Sequence, residues 1–417
     1  MLVEKEAWKF MVQNYLLYTE NAQRLYETHA KDLPIIDFHN HLSVAELAAD
    51  RQFSDITALW LTPDPYKHRL MRICGIPEAY ITGDADPFEK FKKFCEIFPF
   101  LAGNPVFDWS KMELSTIFGI TEIPTVQTAN YLWDKTGEML SSPEFSYRGI
   151  LKKFNIAYQS PVAQLSDDLT DFNGVTVAPS LRGDALLEQE LDQGAICKGL
   201  DAFAAKGCRF ADHALDADFF ETPKKAQRLC HLGVEYAKRG WTLLLHMDAK
   251  RQTSSRLRQL AGPAGGYAAV GGSFPVHKLC DLLNAMESAG GLPDTVLFPL
   301  NMSDQAPLAV LQGSFSQDGI SSKVQLGPAW WWCDHKLGIE NTLDCISSFG
   351  VVSQFIGMTT DSRSVLSFLR HDYFRRLLCS WLDRKNSELQ WHLSEETQGK
   401  IIENICYHNA NKKLGRA

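Results

Sequence analysis

Residues 34–41 have the sequence PIIDFHNH, in which a short apolar run ends in two histidines separated by one residue. A run of this length, rich in β-branched and aromatic residues, predicts a buried strand of a parallel sheet. In extended backbone His39 and His41 point to one side of the strand, while Asn40 points to the other. The stretch therefore predicts a strand that carries two nitrogen ligands for a metal ion near its carboxyl end.

Seven more apolar runs follow along the chain, at residues 155–158, 175–178, 208–211, 241–246, 295–300, 324–327 and 355–359. Helical patterns such as residues 222–239 and 276–289 separate most of them, as expected for a parallel sheet with crossover helices. Eight β/α units in one chain predict an α/β protein, a closed (β/α)8 barrel of the TIM type. The long helix-rich stretch after the first run predicts a helical insertion subdomain at residues 45–150, within a single barrel domain spanning residues 1–417.

The composition is that of an ordinary soluble enzyme, with 417 residues, 45% hydrophobic and 22% charged, and a formal net charge of -8. This acidic balance gives no general attraction for nucleic acid or a membrane surface, so we expect a small-molecule substrate. The sequence shows neither a signal-peptide pattern nor a long apolar run, and its ten cysteines contain no C-x-x-C pair. These features predict a cytoplasmic protein with reduced thiols, and they leave a homo-oligomer open.

Polar residues cluster where barrel enzymes place their catalytic groups, at the carboxyl ends of the predicted strands. They are His39 and His41 after the first run, Arg182 after the third, Asp212 and His213 after the fourth, His246 at the end of the fifth, Asn301 and Asp304 after the sixth, Trp330 and Trp331 after the seventh, and Asp361 and Arg363 after the eighth. Asp361 would come from the neighbour of the first strand in a closed barrel. We therefore expect His39, His41 and Asp361 to hold a divalent metal, with Zn²⁺ favoured and Mn²⁺ or Fe²⁺ open.

Several of these residues also have a purely structural interpretation. Arg182 and Arg363 are candidate clamps for a carboxylate, because a guanidinium binds that group through two N–H donors, but either could be a surface arginine. His246 is a site residue or a hydrogen-bonded core histidine. Residues 330–332, three consecutive tryptophans, form either a packing cluster at the barrel rim or a wall that faces a sugar.

Five segments resemble the uronate isomerase family, an outlying member of the amidohydrolase superfamily. They are DFHNHL at 37–42, DPYKHRLMR at 64–72, GNPVFDWSKMELSTIFGI at 103–120, GCRFADHALD at 207–216 and TTDSRSVLSFLRHDYFRRLLCSWL at 359–382. The resemblance runs over nearly the whole chain. It implies a (β/α)8 barrel that interconverts D-glucuronate and D-fructuronate, or D-galacturonate and D-tagaturonate.

The resemblance also implies roles for individual residues. It marks His39, His41 and Asp361 as metal-site residues, Tyr66 as a proton-shuttling tyrosine, and Arg182, His246 and Arg363 as substrate contacts. With the strand-end argument, this gives a catalytic set of Asp361, Tyr66, Arg363 and His246, and a substrate-binding set of Arg182, Arg363, His246 and Trp331. We expect Asp361 to remove the proton from C2 of the sugar while Tyr66 and Arg363 act on its oxygens.

Three segments depart from the family pattern. Residues 159–162 are QSPV where the family has Thr-Asp-Asp-Pro, residues 248–254 are DAKRQTS in place of Gly-Ala-x-Arg-Asn-Asn-Asn, and residues 266–269 are GYAA in place of Gly-Phe-Asp-Ser. The lost polar groups leave the substrate less defined than the type of reaction. Two alternatives therefore stay open, a metal-dependent hydrolase of the same superfamily acting on a sugar-acid lactone or amide, and a sugar-acid-binding protein without activity.

Overall fold

The computed structural model describes residues 14–188 and 192–415. Its centre is a parallel sheet of seven strands in the order β1-β2-β3-β4-β5-β8-β9, so the fold is mixed α/β. The strands of this sheet are β1 (Ile35–Asn40), β2 (Ile156–Ala163), β3 (Ser180–Arg182), β4 (Phe210–Leu215), β5 (Thr242–Met247), β8 (Asp294–Pro299) and β9 (Val324–Leu326). A separate antiparallel pair, β6 (Ala249–Lys250) and β7 (Ala269–Val270), follows β5.

Helices cover much of the remaining chain. Before β2 they are Glu20–His29, Val44–Ala48, Ile56–Trp60, Pro65–Ile73, Pro87–Ile97, Pro105–Phe118, Ala129–Leu140 and Tyr147–Leu151. After β3 they are Asp184–Glu188, Gln193–Ala205, Pro223–Lys238, Ser255–Ala261, Val276–Ser288, Gln305–Ala309, Leu311–Ser314, Lys336–Phe349, Leu369–Glu388, Glu395–Glu403 and Asn409–Lys413. In the described part of the chain, none of them combines the length and apolar character needed to cross a bilayer.

Three of the helices between β1 and β2 begin in the same way, with a proline in the first turn and a capping side chain before it. The helix Pro65–Ile73 is capped by Asp64, whose carboxylate accepts the backbone N–H groups of Tyr66 and Lys67. Proline suits this position because its missing N–H would have no partner there in any case, and its fixed φ is already helical. This local sequence fixes where the helix starts, and so fixes Tyr66 in its first turn.

The third and eighth predicted strands differ from the structure. Residues 175–178 make a single bridge, between Gln159 and Val177, and β3 begins only at Ser180. Residues 355–359 carry no strand ladder, because side chains take the amides that a ladder would use. The Asp37 carboxylate accepts the N–H of Thr360 at 2.7 Å, and the side-chain oxygen of Gln325 accepts the N–H of Ile356 at 2.9 Å.

The residues that follow this run, 360–362, still lie beside β1. The N–H of Asp361 donates to the carbonyl of His39 at 3.1 Å, and the N–H of His41 donates to the carbonyl of Ser362 at 2.9 Å. These two bonds lie at the carboxyl end of β1, so they bring Asp361 next to the two histidines of the first strand.

The 20-residue helix Leu369–Glu388 anchors β1 from behind. Arg375 donates to the carbonyls of Leu33 and Pro34, both at 2.9 Å. The buried carboxylate of Asp37 lies 3.2 Å from His371 Nε2 and also accepts the hydroxyl of Thr359 at 2.9 Å. Since a buried carboxylate is stable only with such partners, these bonds fix the strand that carries the histidine pair.

Candidate active site

A cavity of about 390 Å³ opens at the carboxyl ends of the strands. All eight residues predicted from the sequence as site residues line it, namely His39, His41, Tyr66, Arg182, His246, Trp331, Asp361 and Arg363. Other polar residues in its wall are Gln164, Asp167, Asp212, Arg251 and Ser362. The strand-end rule thus brings together groups that are more than three hundred residues apart in the sequence.

His39, His41 and Asp361 form the base of the cavity. Asp361 Oδ1 lies 3.2 Å from His39 Nε2 and 3.0 Å from His41 Nε2. Burial opposes ionisation of Asp361, but its hydrogen bonds with both histidines hold its pKa well below the usual range. Burial also lowers the pKa of His41 to about 4, so its imidazole is neutral near pH 7. Burial acts against the charge on His39, yet the carboxylates of Asp212 and Asp361 raise its pKa, so a metal held by both histidines would displace the His39 proton.

A second cluster shares His39 and extends across the cavity floor. His246 Nδ1 lies 2.6 Å from Asp212 Oδ1, and Arg182 Nη1 lies 3.3 Å from Asp212 Oδ2. Burial acts against the charge on Asp212, yet the neighbouring His246, His39 and Arg182 hold its pKa well below the usual range. The ring of Phe298 stacks on His246 with 4.3 Å between centroids and fixes the plane of the imidazole.

The donor set fits a divalent cation. Two groups of three residues bring one potential ligand atom each to within 4.8 Å of one another, His39, His41 and Asp361 in one, and His39, Asp212 and His246 in the other. His246 Nε2 is buried and has no hydrogen-bond partner among the described residues. Such an orphaned nitrogen is costly unless an ion or a substrate atom completes it. Nitrogen and carboxylate ligands of this kind do not by themselves select one metal.

Tyr66 reaches the cavity from the helix Pro65–Ile73, which lies between β1 and β2 in the sequence. Its hydroxyl lies 3.0 Å from the carbonyl oxygen of Trp331 and 2.9 Å from Asp334 Oδ2. Trp109 and Trp332 pack edge-on against its ring. The ring is therefore fixed by contacts on several sides, and Tyr66 lines the cavity.

The tryptophan run serves both packing and the cavity wall. The rings of Trp330, Trp331 and Trp332 are stacked, with 5.3 Å between successive centroids. Trp330 is buried and packs against His246, whereas Trp331 is half-buried, lines the cavity and has the guanidinium of Arg251 5.1 Å from its ring centre. A flat indole on a cavity wall offers the apolar surface that sugar rings pack against.

The two arginines differ in their surroundings. Arg182 Nε donates to Asp184 Oδ2 at 2.9 Å, so with Asp212 beside it this guanidinium has two acidic partners. Arg363 is exposed at the mouth of the cavity and makes no hydrogen bond or ion pair with the described residues. Its N–H donors are therefore free to bind an anionic group.

Some polar residues at predicted strand ends lie outside the cavity. His213 Nε2 contacts the hydroxyl of Tyr236 at 2.9 Å, and Asp304 accepts the N–H of Phe274. Sequence reasoning missed Asp334, which contacts Tyr66, and Arg370, which contacts Asp334. Both lie in or beside quoted segments, but nothing in their spacing indicates a contact with Tyr66.

The fold and site define an α/β enzyme in which three histidines, three aspartates, three arginines and a tyrosine face one cavity. The family model of glucuronate isomerase matches residues 8–194 and 223–413. A uronate isomerase of Caldanaerobacter subterraneus is 36% identical, with 98% of this chain and 99% of the relative aligned. A uronate isomerase of Vibrio vulnificus is also 36% identical, over 97% of this chain and 98% of the relative.

Solved structures give the same result. The uronate isomerase of Thermotoga maritima superposes with a TM-score of 0.87 at 25% identity, covering 96% of this chain and 99% of that one. The glucuronate isomerase of Caulobacter crescentus shares the fold, with a TM-score of 0.83 at 22% identity and coverage of 96% and 97%. The chain belongs to the uronate isomerase family, a family of aldose–ketose isomerases. These comparisons favour the isomerase over the hydrolase alternative.

Proposed function

We propose that this protein interconverts an aldehyde-ended uronate and its 2-keto isomer, D-glucuronate with D-fructuronate, D-galacturonate with D-tagaturonate, or both. The observation that carries this proposal is the convergence of His39, His41 and Asp361 with Tyr66 and Arg363 on one cavity in a chain of this family. An aldose–ketose conversion needs a base for C2, a proton donor near two oxygens and stabilisation of enediolate charge. The cavity offers a residue for each task.

Asp361 is the proposed base that takes the proton from C2 and returns it to C1. It is ionised because of its histidine contacts, and it lines the cavity. Tyr66 moves the proton between the oxygens on C1 and C2, and Arg363 stabilises the negative charge that develops on them. His246 presents its free Nε2 to a substrate hydroxyl, and Arg182 holds the substrate from the opposite strand.

A divalent metal, with Zn²⁺ proposed and Mn²⁺ or Fe²⁺ as alternatives, would be held by His39, His41 and Asp361. When bound, it would orient and acidify a substrate hydroxyl. Trp331 forms the wall for the sugar ring, and Arg182 counters the charge of the uronate carboxylate.

We further propose that residues 359–362 close the sheet into a (β/α)8 barrel and that residues 45–150 form an insertion subdomain whose helix delivers Tyr66. The backbone bonds of His39 and His41 with the last segment support the closure. We keep the cytoplasm as the proposed location of the enzyme.

Proton NMR in D2O tests the proposal. Purified metal-loaded protein is incubated with D-glucuronate and, separately, with D-galacturonate, and the ketose signals and the exchange of hydrogen for deuterium are followed. Ketose formation supports the proposal and ranks the two epimers. A folded, metal-loaded sample that converts neither sugar would refute it.

A further inference from the structure

Tyr66 belongs to a buried network that extends away from the cavity. Its hydroxyl oxygen lies 2.9 Å from Asp334 Oδ2, and the same carboxylate oxygen lies 3.1 Å from Arg370 Nη1. The guanidinium of Arg370 is also stacked over two rings, 4.8 Å from the centre of Tyr66 and 3.9 Å from that of Trp109. Asp334 and Arg370 are 4% and 3% exposed, so both lie behind Tyr66 and out of reach of a substrate.

The Tyr66 hydroxyl has more acceptors around it than hydrogens to donate. A phenol has one hydrogen to donate, but two acceptors, the carbonyl of Trp331 and the carboxyl of Asp334, lie within 3.0 Å of its oxygen. Each contact is a full two-centre hydrogen bond when Asp334 is protonated. Its carboxyl then donates to Tyr66, and Tyr66 donates to Trp331.

Charged groups surround this pair. Lys67 Nζ lies 2.7 Å from Asp64 and 3.7 Å from Glu113, so one lysine serves those two carboxyls, while Arg370 serves Asp334. A carboxyl this deeply buried is held near its protonated state when burial outweighs its one cation. Burial raises the pKa of Glu113, and it raises the pKa of Asp334 to about 7 in spite of Arg370.

We propose that Asp334 stores the proton that Tyr66 uses, and that Arg370 holds Asp334 in place for this purpose. This inference rests on the proposed isomerase function. Tyr66 gives its proton to the oxygen on C1 while the carboxyl of Asp334 gives its own proton to Tyr66. The hydroxyl on C2 then returns a proton to Tyr66, which passes one back to Asp334. Every proton is restored at the end of the cycle, and Asp334 acts only through Tyr66, as a positioning residue.

We call this transfer of protons between Asp334, Tyr66 and the substrate oxygens the relay. The relay has a defined pH dependence, because it starts from protonated Asp334. The titratable and charged groups that act on Asp334 are Arg370 and Tyr373 from the helix Leu369–Glu388, Tyr66 from the helix Pro65–Ile73, Asp361 from the segment beside β1, and the neighbouring Cys333. Loss of the proton as the pH rises through about 7 removes the stored proton. We therefore expect kcat to fall on the alkaline side of neutrality.

The test is the pH profile of kcat, from pH 5.5 to 9, for wild type, Asp334→Asn and a matched control. An asparagine keeps a donor beside Tyr66 but has no proton to give up. The control is Asp248→Asn, because burial raises the pKa of Asp248 to about 7 as well, yet Asp248 is absent from the cavity wall. Its φ of 70° is one that asparagine tolerates.

We expect Asp334→Asn to lower kcat about 100-fold, as for loss of a proton-transfer group, with KM within about threefold of wild type. The alkaline fall should vanish in this variant and persist in Asp248→Asn. In a Tyr66→Phe background, adding Asp334→Asn should lower kcat by less than about a further twofold, since the two residues act as one unit.

Two outcomes would overturn the relay, an alkaline fall that persists in Asp334→Asn, or a wild-type kcat that is flat across neutrality. The second needs no variant, so it stands even if Asp334→Asn fails to fold. A wild-type protein that converts no uronate at any pH would instead refute the proposed function, and the two failures are thereby separated.

Discussion

Replacing Asp361 with asparagine is the sharpest single test of the proposed chemistry. Asp361 has a φ of 47°, in the left-handed region where asparagine and aspartate are tolerated better than other non-glycine residues. Asparagine has nearly the same shape, so the backbone bond between Asp361 and His39 is kept. We expect the variant to fold, with some loss of stability because the ionised carboxylate no longer faces the two histidines.

Turnover should respond very differently. An amide cannot accept the proton from C2, and loss of a general base costs about 10²- to 10⁴-fold in rate. At about 1.4 kcal/mol for each factor of ten, this corresponds to about 3 to 5 kcal/mol of transition-state stabilisation. Asp361→Ala should also lose turnover, but it adds a backbone cost of about 1–2 kcal/mol, because alanine gains nothing from the left-handed conformation.

The assay follows ketose formation by proton NMR, with the metal content and melting temperature of each sample measured in parallel. Asp344→Asn is the matched control, because Asp344 bonds the Trp381 indole and does not line the cavity. A kcat for Asp361→Asn within tenfold of wild type, at equal metal content, would refute the assignment of Asp361 as the base. Loss of metal together with turnover would assign it to metal binding instead.

Three further outcomes follow from the site and its surroundings. Arg363→Met should raise KM for the uronate about 10- to 100-fold in steady-state kinetics, because one charge-assisted hydrogen bond to the substrate is lost. An unchanged KM would remove Arg363 from substrate binding. Chelation of the bound metal should lower the melting temperature of wild type but not of His39→Ala, since a ligand that binds only the folded state stabilises it. The Lys67 contact holds the pKa of Asp64 low despite burial, so the free energy of unfolding should fall as the pH drops below about 4. Urea denaturation at pH 5 and pH 3 should show a smaller fall in this free energy for Asp64→Asn than for wild type.

Much of the site could be predicted from local sequence. The i and i+2 spacing of His39 and His41 places both imidazoles on one face of a strand, and the carboxyl ends of parallel strands meet at one edge. These two rules suffice to bring Arg182, His246 and Asp361 to the same cavity as the histidine pair. Tyr66 is different, because only the family resemblance indicated its place there.

Other features depend on contacts that no local pattern contains. The last strand segment was predicted as a strand from its apolar run, but Asp37 and Gln325 capture its amides from neighbouring segments. The antiparallel strands β6 and β7 are each too short to leave a periodic pattern. Asp334, Arg370 and Tyr66 come from one loop and two separate helices, and their burial is a tertiary property that sequence spacing does not reveal.

The anchoring of Asp37 sets a condition on how the enzyme matures during synthesis. Asp37 stands two residues before His39, and one of its partners, His371, is 334 residues further along the chain. Until the ribosome has released that distant helix, the first strand lacks the partners that make its buried carboxylate tolerable. A nascent chain can therefore assemble most of its strands before the strand that carries the histidine pair is anchored, because that anchoring waits for the helix Leu369–Glu388 to pack against it.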